Sequence, residues 1–182
     1  MEIKVKNIIL IGFMGTGKTS VGKLLAKELG IGFIDTDEEI EKENHQTISN
    51  IFQEYGEEYF RKLETDYIKK LYSLKKPMVI STGGGLPLRE CNAAVLRELG
   101  IVVYLQAKKD TIINRVKENK NRPLLNGEHL SKQIDNLLSL REPTYKKCAH
   151  IKINTDSSLS EIVSAIKKQY NEWDGGKINE PS

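Results

Sequence analysis

The chain has 182 residues, a length that fits one domain with its own hydrophobic core. Hydrophobic residues make up 38% and charged residues 29% of it, as in ordinary globular proteins, and no apolar run is long enough to span a membrane. The formal net charge of +3, without a concentrated basic patch, speaks against a nucleic-acid partner. Cys91 and Cys148 show no metal-binding spacing, as expected for two reduced thiols. We therefore expect a cytoplasmic protein with no membrane contact.

Short apolar runs predict the strands, and apolar residues at helical spacing predict the helices. The runs lack polar alternation, as in strands that are covered on both faces. They lie, in chain order, at Ile8–Ile11, Gly32–Ile34, Met78–Ser81, Ile101–Leu105 and Ile151–Ile153. The helical stripes lie at Val21–Leu29, Phe60–Leu71, Leu130–Leu138 and Leu159–Ile166. This alternation predicts a parallel α/β sheet in one domain of residues 1–173, followed by a polar tail, residues 174–182, that we expect to be disordered.

A glycine-rich loop follows the first predicted strand. Residues Gly12–Thr19, GFMGTGKT, match the pattern G-x-x-x-x-G-K-[ST], with a strand before them and an amphipathic helix after them. The glycines allow the backbone to turn its N–H groups toward a phosphate at the start of that helix. Lys18 can then reach the β- and γ-phosphates, and the Thr19 hydroxyl can ligate Mg²⁺. The sequence therefore predicts a nucleoside-triphosphate site that contains Gly15, Thr16, Gly17, Lys18, Thr19 and Ser20.

The second predicted strand ends in a pair of aspartates. In P-loop proteins the metal usually has an acidic partner at a strand end, but the third run ends in Ser81 and Thr82 without a carboxylate. Asp35 and Asp37 follow the other suitable strand end. In an extended segment their side chains would point in opposite directions, one toward the metal and the other toward a second substrate. A solvated acidic turn is the alternative interpretation of this pair.

At this point the sequence resembles the shikimate kinase family. The fragments GFMGTGKTSVG, FIDTD, GEEYFRKLE, STGGG, RPLL and REPTY occur in the order and approximate spacing of that family, between about Asn7 and Ile166. The resemblance implies a three-layer α/β/α fold with a five-stranded parallel sheet, as in P-loop kinases of the nucleoside-monophosphate-kinase type. It also implies transfer of the γ-phosphoryl group of ATP, with Mg²⁺, to the 3-hydroxyl of shikimate, a step in chorismate and aromatic amino acid biosynthesis.

The same resemblance implies roles for the residues on the acceptor side. Asp37 would bind ring hydroxyls and take the proton, and Asp35 would lie near the Mg²⁺ shell with Thr19. Arg61 and Arg141 would hold the carboxylate, for which planar guanidinium groups are suited. Glu64 resembles the carboxylate that holds Arg61 in place. The residues implied in shikimate binding are Asp37, Arg61, Gly83, Gly84, Gly85 and Arg141. Asp37 and Arg61 belong to a substrate-binding segment of about residues 35–64.

A charged segment, residues 116–128, resembles the lid that closes over ATP. Its Arg122 would reach the phosphates and act with Lys18 and Asp37 in catalysis. Closure would also exclude water, which competes as the phosphoryl acceptor. Arg115, on the preceding helix, is implied as a contact of the adenine ring.

Two alternatives remain open. One is another small-molecule kinase on the same fold, with gluconate or a nucleoside monophosphate as acceptor. The other is a nucleotide-dependent regulator that binds ATP without useful catalysis, although the presence of Asp37, Arg61, Gly84 and Arg141 argues against it. We expect the chain to act as a monomer.

Overall fold

The computed structural model describes residues 6–118 and 128–173, and in the second range it describes side chains from Leu130 onward. All paired strands are parallel and form one five-stranded sheet in the order β2-β3-β1-β4-β5. The strands are β1 Asn7–Ile11, β2 Gly32–Asp35, β3 Met78–Ser81, β4 Gly100–Gln106 and β5 Ile151–Asn154. Every predicted strand is confirmed, and no observed strand extends more than one residue beyond the prediction at either end.

Helices connect and cover these strands. They are α1 Lys18–Leu29, α2 Thr36–Asn44, α3 Ile48–Tyr55, α4 Glu57–Lys70, α5 Glu90–Leu99, α6 Lys109–Glu118, α7 Glu128–Cys148 and α8 Leu159–Glu172. The four predicted stripes correspond to α1, α4, α7 and α8. Helix α2 lay outside them because Thr36 and Ile40 are its buried residues, which is too little apolar periodicity to recognise.

The core lies on both faces of the sheet, as the unalternating apolar runs predicted. In β1, Ile9 and Ile11 pack on one face, while Ile8 and Leu10 pack on the other. All four are fully buried. Helices α1 and α8 cover the second face, and α4, α5 and α7 contribute to the first. The predicted three-layer arrangement is therefore confirmed. Among the described residues, no helix is long and apolar enough to cross a membrane.

The carboxyl ends of three neighbouring strands bring the predicted site residues to one edge of the sheet. Leu10 and Asp35 are both in register with Ser81, so β1, β3 and β2 end at about the same level. The glycine-rich loop follows β1, the helix α2 follows β2, and Thr82–Gly85 follow β3. Ligands of open parallel sheets bind at this edge, because the loops there converge on one crevice.

Candidate active site

The glycine-rich loop after β1 has a backbone that glycine accommodates best. Gly15 and Gly17 have φ values of 78° and 88°, in the left-handed region. Gly17 is also the N-cap residue, directly before α1, and no side chain caps that helix end. The first N–H groups of α1 therefore face the cleft. They lie at the positive end of the helix dipole, an arrangement that binds anions.

Side chains of the loop hold it in shape. Lys18 Nζ donates to the carbonyl oxygens of Gly12 and Phe13, each at 2.9 Å. The Thr16 hydroxyl, which is 1% exposed, donates to the Phe13 carbonyl at 2.8 Å. The loop is thus ordered by its own hydrogen bonds, and the Lys18 ammonium already lies beside the cleft.

Thr19 and Asp35 form the pair that fits a magnesium ion. The Thr19 hydroxyl donates to Asp35 Oδ2 at 2.9 Å, and Asp35 is only 8% exposed. The other oxygen, Oδ1, accepts the backbone N–H groups of Asp37 at 3.1 Å and Glu38 at 3.5 Å, which caps α2. A hydroxyl and a carboxylate oxygen are the hard ligands that Mg²⁺ prefers, and the ion usually retains water and phosphate ligands as well.

The structure corrects the expected geometry of the aspartate pair. Asp37 does not continue an extended segment, because the chain enters α2 at Thr36 and Asp37 lies in its first turn. The argument from opposite side-chain directions was therefore wrong. Both aspartates nevertheless line one cleft of about 230 Å³. Its lining residues are Met14, Gly15, Lys18, Thr19, Asp35, Asp37, Ser81, Thr82, Gly83, Gly84, Arg115 and Val116.

Gly83 lies against two carboxylates. A Cβ atom at this position would lie 2.5 Å from Asp37 Oδ1 and 2.9 Å from Glu64 Oε1, so any side chain here would displace these carboxylates. Glu64 is fully buried, and its Oε1 has no hydrogen-bond partner among the described residues. Burial raises the pKa of the Glu64 carboxyl to about 7, although the hydrogen bond and charge of Arg61 act in the opposite direction.

Arg61 lies beside these carboxylates and is held on two sides. Its Nη1 donates to Glu64 Oε2 and its Nη2 to Glu57 Oε1, both at 2.8 Å. The predicted contact between Glu64 and Arg61 is therefore present. The Arg61 side chain is 15% exposed, and its guanidinium group lies directly over Gly85, where any Cβ would collide with it. Helix α4 thus places this cation beside the glycine turn after β3, whose Gly83 and Gly84 line the cleft.

Helix α7 supplies the second predicted arginine. The Arg141 guanidinium carbon lies 5.7 Å from the centre of the Phe13 ring, which belongs to the glycine-rich loop. Four residues later, the Tyr145 hydroxyl donates to the Gly84 carbonyl at 2.5 Å. Arg141 therefore lies near both loops that form the cleft, although it comes from a helix far along the chain.

Arg115 has a contact that the sequence did not predict. Its Nη1 donates to the Gly15 carbonyl at 3.2 Å, and its Nη2 donates to the Thr155 carbonyl at 2.8 Å. Arg115 thus connects the glycine-rich loop to the segment after β5. Contact with adenine remains a prediction. Arg122 and residues 119–127 of the predicted lid lie outside the described residues.

With this geometry established, a family model described as "Shikimate kinase" matches residues 14–171. The chain belongs to the shikimate kinase family. A shikimate kinase from Thermodesulfovibrio yellowstonii is 47% identical over 174 residues, which cover 95% of this chain and 99% of that protein. Another shikimate kinase, from Caldicellulosiruptor bescii, is 47% identical over 88% of this chain and 92% of its own length.

Solved structures agree with membership of the shikimate kinase family. Shikimate kinase from Acinetobacter baumannii in complex with shikimate superposes with a TM-score of 0.86 at 38% identity, covering 93% of this chain and 94% of that chain. A gluconokinase from Sinorhizobium meliloti has a TM-score of 0.60 at 20% identity, with 92% of each chain covered, and shows the common fold alone. The predicted fold, family and kinase class of this chain are confirmed.

The site around Gly85 is expected to be sensitive to one added methyl group. Gly85 has φ −90°, so alanine fits its backbone, but the new Cβ would displace the Arg61 guanidinium. We expect Gly85→Ala to raise KM for shikimate about tenfold, equivalent to about 1.4 kcal/mol, with KM for ATP little changed. Steady-state kinetics with each substrate varied in turn measure both values. An unchanged KM for shikimate would contradict the placement of Arg61.

The free energy of unfolding of this chain is expected to depend on pH through Glu64. Its pKa rises from 4.5 to about 7 on folding, chiefly through burial, so between these values the folded state keeps a proton that the unfolded state has released. The Glu64 contribution to the free energy of unfolding is therefore fully present below about pH 4.5 and is lost as the pH rises to about 7. The loss is on the order of 3 kcal/mol.

Glu64→Gln provides the comparison, because glutamine does not titrate. The free energy of unfolding of the wild type minus that of the variant, from urea denaturation, is expected to fall across that pH range. A difference that stays constant with pH would show that Glu64 ionises equally in both states.

Proposed function

We propose that this chain transfers the γ-phosphoryl group of ATP to the 3-hydroxyl of shikimate. The observation that carries this proposal is the acceptor side of the cleft. Asp37, Gly83 and Glu64 lie together there, with the Arg61 guanidinium over Gly85. A small ring acid carries one carboxylate and several hydroxyls, which match one guanidinium group, one carboxylate acceptor and a close main-chain approach.

On the nucleotide side, the glycine-rich loop would bind the phosphates of ATP. Lys18 would exchange its bonds to the Gly12 and Phe13 carbonyls for the β- and γ-phosphate oxygens, since its ammonium already lies at the cleft. Backbone N–H groups at the start of α1 would supply further donors. The remaining residues proposed for ATP binding are Gly15, Thr16, Gly17, Thr19, Ser20, Arg115 and Arg122.

Thr19 and Asp35 would hold the magnesium ion, which neutralises charge on the phosphates when it is bound. Their oxygens lie 2.9 Å apart, and Asp35 is fixed by its role as the cap of α2. Either oxygen could also act through a water of the ion's shell.

On the acceptor side, Asp37 would accept the proton of the reacting hydroxyl. The hydroxyl oxygen forms a bond to the γ-phosphorus while the bond to the β,γ-bridging oxygen breaks, and ADP leaves. Arg61 and Arg141 would orient the acceptor through its carboxylate, so that the hydroxyl lies in line with the phosphate. Residues 116–128, with Arg122, remain the proposed lid, and residues 35–64 the proposed acceptor segment, of one kinase domain that acts as a monomer.

The acceptor preference tests this function. ADP release from ATP is measured with shikimate, gluconate, AMP or no added acceptor. We expect strong release with shikimate and little with the others. A preference for gluconate or AMP would keep the P-loop site but overturn the carboxylate role of Arg61 and Arg141. If no acceptor stimulated release although ATP still bound, the regulator alternative would be favoured.

A further inference from the structure

Tyr145 of α7 carries a buried hydroxyl near the proposed acceptor side of the cleft. None of the roles above is assigned to this residue. The residue is 0% exposed, and its hydroxyl donates to the Gly84 carbonyl at 2.5 Å. Its ring packs on that of Tyr104 in β4, with 5.3 Å between the ring centres. The ring is therefore fixed by the core, and the hydroxyl is held toward the turn that follows β3.

Gly84 is enclosed between Tyr145 and the glycine-rich loop. A Cβ at Gly84 would lie 3.4 Å from the Gly12 carbonyl oxygen, 3.7 Å from the Tyr145 hydroxyl and 3.8 Å from the Met14 nitrogen. The hydrogen bond from Tyr145 thus acts on a segment of main chain that already packs against the phosphate loop. Its loss would leave the Gly84 carbonyl without this donor at the place where ring hydroxyls are proposed to bind.

Arg141 of the same helix lies near the Tyr145 hydroxyl. It lies four residues before Tyr145, so the two side chains share one face of α7. Burial raises the pKa of the Tyr145 hydroxyl, while the nearby positive charge of Arg141 acts to lower it. The Arg141 guanidinium carbon lies 5.7 Å from the Phe13 ring centre. A tyrosine hydroxyl can accept one hydrogen bond while it donates another. The Tyr145 oxygen can therefore connect Arg141 to Gly84.

We propose that Tyr145 is a positioning residue for the acceptor, whose hydroxyl accepts from Arg141, donates to the Gly84 carbonyl and so holds the arginine and the glycine turn in register. The inference rests on the proposed function, since it assigns Arg141 and Gly84 to acceptor binding. Tyr145 acts through these two residues and does not itself contact the reacting atoms. Its effect should appear in acceptor binding and leave ATP binding unaltered.

Tyr145→Phe tests this role, because it removes the hydroxyl and keeps the ring that packs on Tyr104. We expect KM for shikimate to rise about tenfold, as for the loss of one buried hydrogen bond that leaves its acceptor unsatisfied. KM for ATP and kcat should change little. Steady-state kinetics with shikimate varied at saturating ATP, and the reverse, give this comparison.

Tyr104→Phe is the matched control. Tyr104 is 1% exposed and forms the other half of the ring pair, so this variant also removes one buried phenolic hydroxyl. It should leave KM for shikimate unchanged. Thermal unfolding of both variants shows whether any kinetic change follows from a damaged fold. Equal effects of the two variants on KM would mean a merely structural role and would overturn the proposal.

A second acceptor separates positioning of Arg141 from a general loss of shape. An analogue of shikimate in which an uncharged carboxamide replaces the carboxylate cannot form an ion pair with Arg141. The increase in KM caused by Tyr145→Phe should then be smaller than with shikimate. An equal increase with both acceptors would overturn the link through Arg141.

The failure of this inference differs from that of the proposed function. If the wild type releases no ADP in response to shikimate, the proposed function fails and the inference fails with it. If the wild type uses shikimate and Tyr145→Phe retains its KM for shikimate, the inference alone is overturned.

Discussion

Asp37→Asn is expected to lower kcat with shikimate by about 10²–10⁴, the usual contribution of a positioned general base. Asparagine has nearly the same shape, and α2 is capped by Asp35, so the first turn of that helix should remain intact. The amide, however, cannot accept the proton of the 3-hydroxyl. ATP binding should be little affected, because the nucleotide side is formed by the loop after β1.

The measurement is kcat at saturating concentrations of both substrates, together with the Kd for ATP from a direct titration. Glu38→Gln is the matched control, since it also removes one negative charge from the first turn of α2. Glu38 is exposed, pairs with Lys23 at 3.8 Å and does not line the cleft. A near-normal kcat for Asp37→Asn would contradict the proposed role of this aspartate as proton acceptor. An equal loss of activity in Glu38→Gln would attribute the effect to the charge of the helix terminus.

Arg61→Ala is expected to raise KM for shikimate by about 10²–10³, in line with the cost of removing one partner from a buried, hydrogen-bonded charge pair. The variant should also lose stability, because Glu64 is fully buried and would lose the cation that hydrogen-bonds it. That loss is limited, since Glu64 already has a pKa of about 7 and would become protonated without Arg61. We expect about 1–3 kcal/mol, measured by urea denaturation.

A double variant separates binding from stability. Arg61→Ala combined with Glu64→Gln removes both charges, so it should recover most of the lost stability and none of the lost affinity for shikimate. Lys70→Ala is the control, because it removes another cation from α4, and Lys70 pairs with the exposed Glu43. Full recovery of KM in the double variant would show that Arg61 acts only by neutralising Glu64.

Much of the site could be predicted from short-range patterns. The glycine-rich loop needs a strand, left-handed glycines and a helix within a few residues of each other, so its residues Gly15, Gly17 and Lys18 were recognisable from spacing alone. Arg61 and Glu64 were implied by the resemblance to the shikimate kinase family; they are one helical turn apart and meet in the structure as expected. The strands could be predicted because strands of a parallel sheet are buried on both faces and therefore appear in the sequence as continuous apolar runs.

Contacts between distant parts of the chain could not be predicted in this way. Arg115 reaches Gly15 and Thr155, and Tyr145 reaches Gly84, across large separations in sequence that no periodicity encodes. A signal for Tyr145 was present in the fragment REPTY, but only its arginine was interpreted. The geometry of Asp37 was missed because α2 has little apolar periodicity and begins directly after β2.

By itself, the sequence determined the fold class and the phosphate-binding loop, because these depend on local spacing and on burial. Its resemblance to the shikimate kinase family implied the side chains for a ring acid. Only the tertiary structure decided how they meet. Parallel strands of equal level bring the ends of β1, β2 and β3 to one edge, where Asp37 and Glu64 approach Gly83 and the Arg61 guanidinium covers Gly85. The strand order and the packing of α4 and α7 on the sheet set those approaches, and neither is written in any single stretch of the chain.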